Sequence, residues 1–230
     1  MTAPNSLLAT RHSPLVIGLI GGIGSGKSQV AEAFSRRGAR VISGDALAHE
    51  ALRQPAIRER IVARWGPGVL DERGEVNRRQ LGVRVFADPA ERKALEELVH
   101  PWIERRVREE ITAATEDRRI RLVVFDAAIM LEAGWEGVCD RLVFVEAPRE
   151  LRLRRVAGQR GWTEEETAAR ERAQLPLTEK AARADHVLDN SGSLDHLGRQ
   201  VDDLLRLWGL APAGPPERFG PTVPPSPAKP

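Results

Sequence analysis

The fold turns on LVIGLIGGIGSGKS, residues 15–28. Its first half, Leu15–Ile20, is a short apolar run that stops at Gly21-Gly22, the pattern of a buried strand entering a turn. Its second half, Gly21-Gly22-Ile23-Gly24-Ser25-Gly26-Lys27-Ser28, fits G-x-x-x-x-G-K-[ST]. Residues 27–37 then group Val30, Ala31, Ala33 and Phe34 on one helical face. Strand, glycine loop and helix in this order are the context in which the motif has a mechanism. Glycines let backbone N–H groups turn inward around a phosphate without Cβ clashes. The helix that follows presents its positive end. Lys27 brings a mobile charge to the β- and γ-phosphates, and Ser28 offers a hydroxyl to Mg²⁺. The residues therefore predict a nucleoside triphosphate site. No N-K-x-D or T-K-x-D stretch is present to read guanine, which favours ATP.

Working outward, further short strands are expected at Arg40–Ser43, 121–126, 141–146 and 186–189. Helical patterns dominate 45–115, with breaks at Pro55, 66–68, 71–74 and 88–89. Helices are also expected at 148–159, at 163–174 behind a Thr163/Glu166 capping box, and at 193–208 behind Ser193. Alternating strands and helices predict an α/β, three-layer P-loop NTPase fold with a five-stranded, mostly parallel sheet. Ligands of such sheets sit at the carboxyl ends of the strands. The expected organisation is a flexible extension over 1–14 and a nucleotide-binding domain over 15–209, with a helical insert over the site at about 48–115. Eight of the 16 prolines fall in the last twenty residues, so 210–230 is expected to be a disordered tail.

Composition limits the alternatives. Thirty-five basic against 33 acidic residues leave a formal charge of +2, which argues against nucleic-acid binding by net charge. One cysteine, Cys139, excludes a disulfide framework and suits a reducing cytoplasm. No apolar run approaches a membrane span, so no membrane partner is expected. The five histidines show no zinc-ligand spacing. Among the basic residues arginine outnumbers lysine 31 to 4, so each lysine on a loop is of interest.

The chain also resembles dephospho-CoA kinase. The likeness runs in order through Gly18–Ser28, Val41–Asp45 with Ala48-His49, Leu98–Pro101, Phe125–Glu132, Arg154-Arg155, Arg170 with Gln174, and Ala184–Asn190. It covers about residues 15–209, and it implies a P-loop kinase domain there, with the helical insert at about 48–115 binding the acceptor and a lid at about 148–175. Two departures stand out. The family usually has Asp-x-Asp where this chain has Ser43-Gly44-Asp45, and Pro-Leu-Leu where it has Ala128-Ile129-Met130. The resemblance implies transfer of the ATP γ-phosphoryl group to the ribose 3′-hydroxyl of dephospho-CoA, with Mg²⁺ accompanying the nucleotide.

It also implies roles for single residues. Asp45 assists the hydroxyl, or reaches Mg²⁺ through water; from position alone it is equally a helix cap. Lys27 and the lid arginines Arg155, Arg160 and Arg170 hold phosphate charge. His100, Asp126 and Glu132 line the acceptor site, with Asp126 open to a role on the Mg²⁺ side, and Asn190 borders the adenine. His100-Pro101 also reads as a helix start, and Asn190 as an ordinary turn residue. ATP and dephospho-CoA are the expected partners of a cytoplasmic monomer or weak homo-oligomer. Another small-molecule P-loop kinase is the nearest alternative. A nucleotide-dependent switch or nucleic-acid-associated ATPase is the more distant one.

Overall fold

The computed structural model describes residues 13–210. The expectations for residues 1–12 and 211–230 lie outside the described residues. Five strands, β1 (Leu15–Gly21), β2 (Arg40–Ser43), β3 (Leu122–Asp126), β4 (Arg141–Glu146) and β5 (His186–Asp189), form one sheet in the order β2-β3-β1-β4-β5. Every pairing is parallel, so the sheet expected to be mostly parallel is wholly so. Each connection between neighbouring strands in the chain must cross over, which demands the intervening helices.

Nine helices accompany the sheet among the described residues: α1 (Lys27–Ser35), α2 (Gly44–Leu52), α3 (Pro55–Trp65), α4 (Arg78–Ala87), α5 (Pro89–Glu116), α6 (Arg149–Arg160), α7 (Glu164–Glu171), α8 (Leu177–Ala182) and α9 (Leu194–Leu207). Side chains alternate across a strand, so successive residues enter different layers. Ile17, Leu19, Val124, Val143 and Val145 pack with Val30 and Phe34 of α1 and Leu197, Val201 and Leu204 of α9. Val16, Ile20, Val123, Phe125 and Phe144 face the opposite layer. There they meet Ile57, Ile61 and Trp65 of α3, Leu81 and Val85 of α4, and Ile103 of α5. The helices between β2 and β3 thus complete the main core.

Local chemistry sets the helix ends. Ser193 accepts from the His196 N–H at 3.2 Å to cap α9, and Thr163 and Glu166 form a reciprocal capping box on α7. Pro101 does not start a helix. It lies inside the 28-residue α5, where it has no N–H to return to the preceding turn. Helix α5 begins instead at Pro89, whose cap Asp88 accepts from the Ala90 N–H at 2.8 Å. Packing of Val99, Ile103 and Val107 into the core holds α5 together across the proline. Among the described residues no helix is long and apolar enough to cross a membrane.

Parallel register brings the functional residues to one edge. Ser43 lies opposite Asp126, Gly21 opposite Val145, and Glu146 opposite Asp189. The carboxyl ends of all five strands therefore converge on the loop after β1.

Candidate active site

The loop 22–26 between β1 and α1 is held by close approach. Gly24 has φ +76°, and a Cβ there would stand 2.5 Å from the Arg152 carbonyl of α6. Gly26 has φ +88° and lies against the Asn190 amide. L-side chains rarely adopt this conformation, so the loop's path depends on glycine at both positions. Asn190 is buried and donates from Nδ2 to the Ser25 carbonyl at 2.8 Å. Its own carbonyl accepts from Arg155 at 2.8 Å, and Arg155 also donates to the Ser25 carbonyl at 3.1 Å. Arg152 donates to the Ile23 carbonyl at 3.1 Å and pairs with Glu171 of α7. Loop, α6, α7 and the β5 end form one hydrogen-bonded assembly.

Lys27 reaches back into the loop, donating to the Gly21 and Gly22 carbonyls at 3.4 and 3.3 Å. Loss of hydration lowers its ammonium pKa from the usual lysine range to about 8. The nearby charges of Asp126 and Asp45 oppose that fall, and those of Lys180 and Arg160 add to it. Asp126, at the end of β3, accepts from the Ser28 hydroxyl at 3.0 Å. Burial raises the Asp126 carboxyl pKa, against the pull of Lys27 and Ser28, and Asp45 adds to the rise. Ser28 and Asp126 together present only oxygen ligands, the donor set of a hard cation such as Mg²⁺. Among the described residues no group of three or more His, Cys, Asp or Glu is arranged to hold a metal ion. A cation at Ser28 and Asp126 would take its remaining ligands from phosphate and water.

Asp45 is not the cap of its helix. Ser43, where the resembling family has aspartate, supplies that cap by accepting from the Ala46 N–H at 3.2 Å. The Asp45 carboxylate makes no hydrogen bond or ion pair with any described residue, yet its charge is felt at Lys27, Asp126 and His49. Lys27, Ser28, Asp45 and Asp126 are thus brought together from three elements, α1, α2 and β3.

The other expected residues lie in different surroundings. His100 of α5 is half-buried and meets Trp135 edge-on at 5.0 Å, and burial lowers its pKa. Arg160 and Arg170 lie over the Trp162 ring, at 4.9 and 3.9 Å from its centre. Arg155 faces the Ser25 and Asn190 carbonyls. Glu132 accepts from the Leu175 N–H at 2.9 Å and pairs with Lys180 at 2.7 Å.

Sequence reasoning missed two residues. Lys180 is 1% exposed and also donates to Gln174 at 3.1 Å. Its ammonium closes a buried network beside the phosphate loop. Arg152 is buried at 6% exposure, whereas the arginines of this helix read mostly as solvated charge. The scarcity of lysine was the one available signal for Lys180; nothing in the local pattern distinguishes Arg152 from its neighbours.

A glycine loop opening a helix, its lysine and serine, a carboxylate at the end of β3 and another in the first turn of α2 define a P-loop kinase site. The dephospho-CoA kinase family profile matches residues 15–196. The dephospho-CoA kinase of Syntrophotalea carbinolica is 42% identical over 193 residues, covering 83% of this chain and 90% of that protein. The dephospho-CoA kinase of Bacillus licheniformis is 41% identical over 199 residues, covering 84% of this chain and 96% of its own length. A crystal structure from Thermus thermophilus, 40% identical, superposes with a TM-score of 0.71 over 85% of this chain and 98% of its own. The chain belongs to the dephospho-CoA kinase family.

Proposed function

We propose that this enzyme transfers the γ-phosphoryl group of ATP to the ribose 3′-hydroxyl of dephospho-CoA, yielding coenzyme A and ADP. The observation that carries the reading is the grouping of Lys27, Ser28, Asp126 and Asp45 at one sheet edge, in a chain of this family. The loop N–H groups and the positive end of α1 receive the triphosphate. Lys27, already oriented into the loop, follows charge onto the transferring group. Asp45, without a partner among the described residues, accepts the proton of the attacking hydroxyl. Mg²⁺ arriving with the nucleotide would be held from Ser28 and Asp126, and when bound it neutralises charge on the phosphates. Arg155 and Asn190 border the nucleotide side of the loop, while Arg160, near enough to depress the Lys27 pKa, supplies lid charge. Helices α2–α5 form the acceptor wall and exclude water, which would otherwise hydrolyse ATP. The supply of ATP and Mg²⁺ agrees with a cytoplasmic location.

The test is a coupled assay of ADP release with ATP and dephospho-CoA. The expected result is acceptor-dependent turnover that Lys27→Ala lowers by at least about a hundredfold, the scale of removing a principal charge stabiliser. Turnover no greater than that of Lys27→Ala overturns the reading.

A further inference from the structure

A cavity of about 170 Å³ lies beside α2, lined by His49, Leu52, Arg53, Glu75, Val76 and Arg78. A larger hollow of about 600 Å³ runs along the outer face of α5, but both of its arginines are already matched, Arg108 by Glu104 and Arg105 by Glu109. The smaller cavity differs in its chemistry. Neither guanidinium, Arg53 nor Arg78, makes a hydrogen bond or ion pair with any described residue, and both act on the charge of His49. Several other arginines of these helices are paired with carboxylates, among them Arg64 with Glu91 and Arg106 with Glu110. Among the described residues Glu75 is the only carboxylate in the lining, so the lining keeps an excess of positive charge.

Its floor is built, not incidental. The turn at 71–75 closes through Asp71, which accepts from the Arg73 and Glu75 N–H groups at 2.9 Å each. The chain then bridges Val76 to Leu70, and Asn77 caps α4 through the Arg79 and Gln80 N–H groups. Arg78 therefore leaves a fixed backbone. Asp45 and His49 are four residues apart on α2, so they share a face about one turn, or about 5.4 Å, apart. In dephospho-CoA the diphosphate begins a few bonds from the ribose 3′-hydroxyl, a comparable span. Arginine forks match phosphate oxygens in pairs.

We propose that the His49, Arg53 and Arg78 cavity binds the diphosphate of the acceptor and so places its 3′-hydroxyl at Asp45. The proposal rests on the dephospho-CoA kinase reading and adds a specificity site to it.

Arg53→Gln and Arg78→Gln, single and combined, test it in the full chain, with folding checked by thermal melting. The expected result for Arg78→Gln is a rise in KM for dephospho-CoA of about ten- to a hundredfold, the scale of one charge-assisted contact, with KM for ATP within about twofold. Calorimetric titration of ATP-free protein with dephospho-CoA should show a matching rise in Kd. Arg78→Lys should recover part of the loss, since it restores charge but not the fork. Adenosine, which lacks the diphosphate, should be a far poorer acceptor for the wild-type enzyme. An unchanged KM for dephospho-CoA, a parallel rise in KM for ATP, or adenosine accepted as readily as dephospho-CoA overturns the subsite. Wild-type protein that transfers no phosphoryl group to dephospho-CoA overturns the underlying reading instead. In that case the calorimetric arm still decides whether these arginines bind the molecule.

Discussion

At the scale of single residues, Lys27 carries a proton whose retention depends on its ligand. With its pKa lowered to about 8, the ammonium is charged below that pH and progressively neutral above it. Phosphate favours the charged form, so ATP must recruit a proton when it binds on the alkaline side. KM for ATP should therefore rise as pH climbs from about 7 to about 9.5, and the heat of ATP binding near pH 9 should vary with the buffer's ionisation enthalpy; a flat KM profile would contradict the assignment. Lys180 raises a different issue. Its pairing with Glu132 is enclosed, with 2% and 18% of the two side chains exposed. Lys180→Met strands the Glu132 carboxylate and should cost about 3–5 kcal/mol in denaturant unfolding, whereas Lys180→Met with Glu132→Gln should recover part of it. A loss under about 1 kcal/mol would show the pair to be dispensable. Lys27 was legible because its spacing within a glycine loop is distinctive. Lys180 was not, because a lysine in a short helical stretch looks solvated until its neighbours in space are known.

At the scale of elements, the strands were readable because each is a short apolar run, and α9 because its buried residues recur at helical spacing. Helix α8, six residues long, spans too few turns for such a pattern to emerge. Helix α5 misled in a different way. Pro101 ordinarily marks a boundary, yet core packing on both sides carries the helix through it. The missing hydrogen bond should still weigh on stability. Pro101→Ala is expected to stabilise the chain by about 1–3 kcal/mol, measured as a shift in denaturant midpoint, and a destabilisation would mean that α5 needs the proline's geometry to pack. Helix α6 illustrates what a solvated reading of arginine overlooks. Two of its arginines, Arg152 and Arg155, bond the phosphate-loop carbonyls, so the helix is moored to the loop that it covers.

At the scale of the whole molecule, one parallel sheet divides the interior into two apolar layers. The helices between β2 and β3 have no core of their own; Ile61, fully buried in α3, belongs to the same layer as Phe125 of β3. Ile61→Ala should therefore lower the stability of the entire chain by about 2–5 kcal/mol within a single thermal transition, and two separate transitions would show that the helical segment folds independently. By itself the sequence determined the phosphate loop, the strand–helix alternation and hence the fold class, because these follow from periodicity and from residue types whose backbone demands are local. Through the ordered resemblance it also pointed to the family. Only the tertiary structure decided which charges are paired. It joined Ser28 to Asp126 across 98 residues, left Asp45 without a partner among the described residues, buried Lys180 against Glu132, and gathered Arg53 and Arg78 around one cavity. Parallel register at the strand ends and the closure of crossover helices set those distances, and neither is a property of any local stretch of chain.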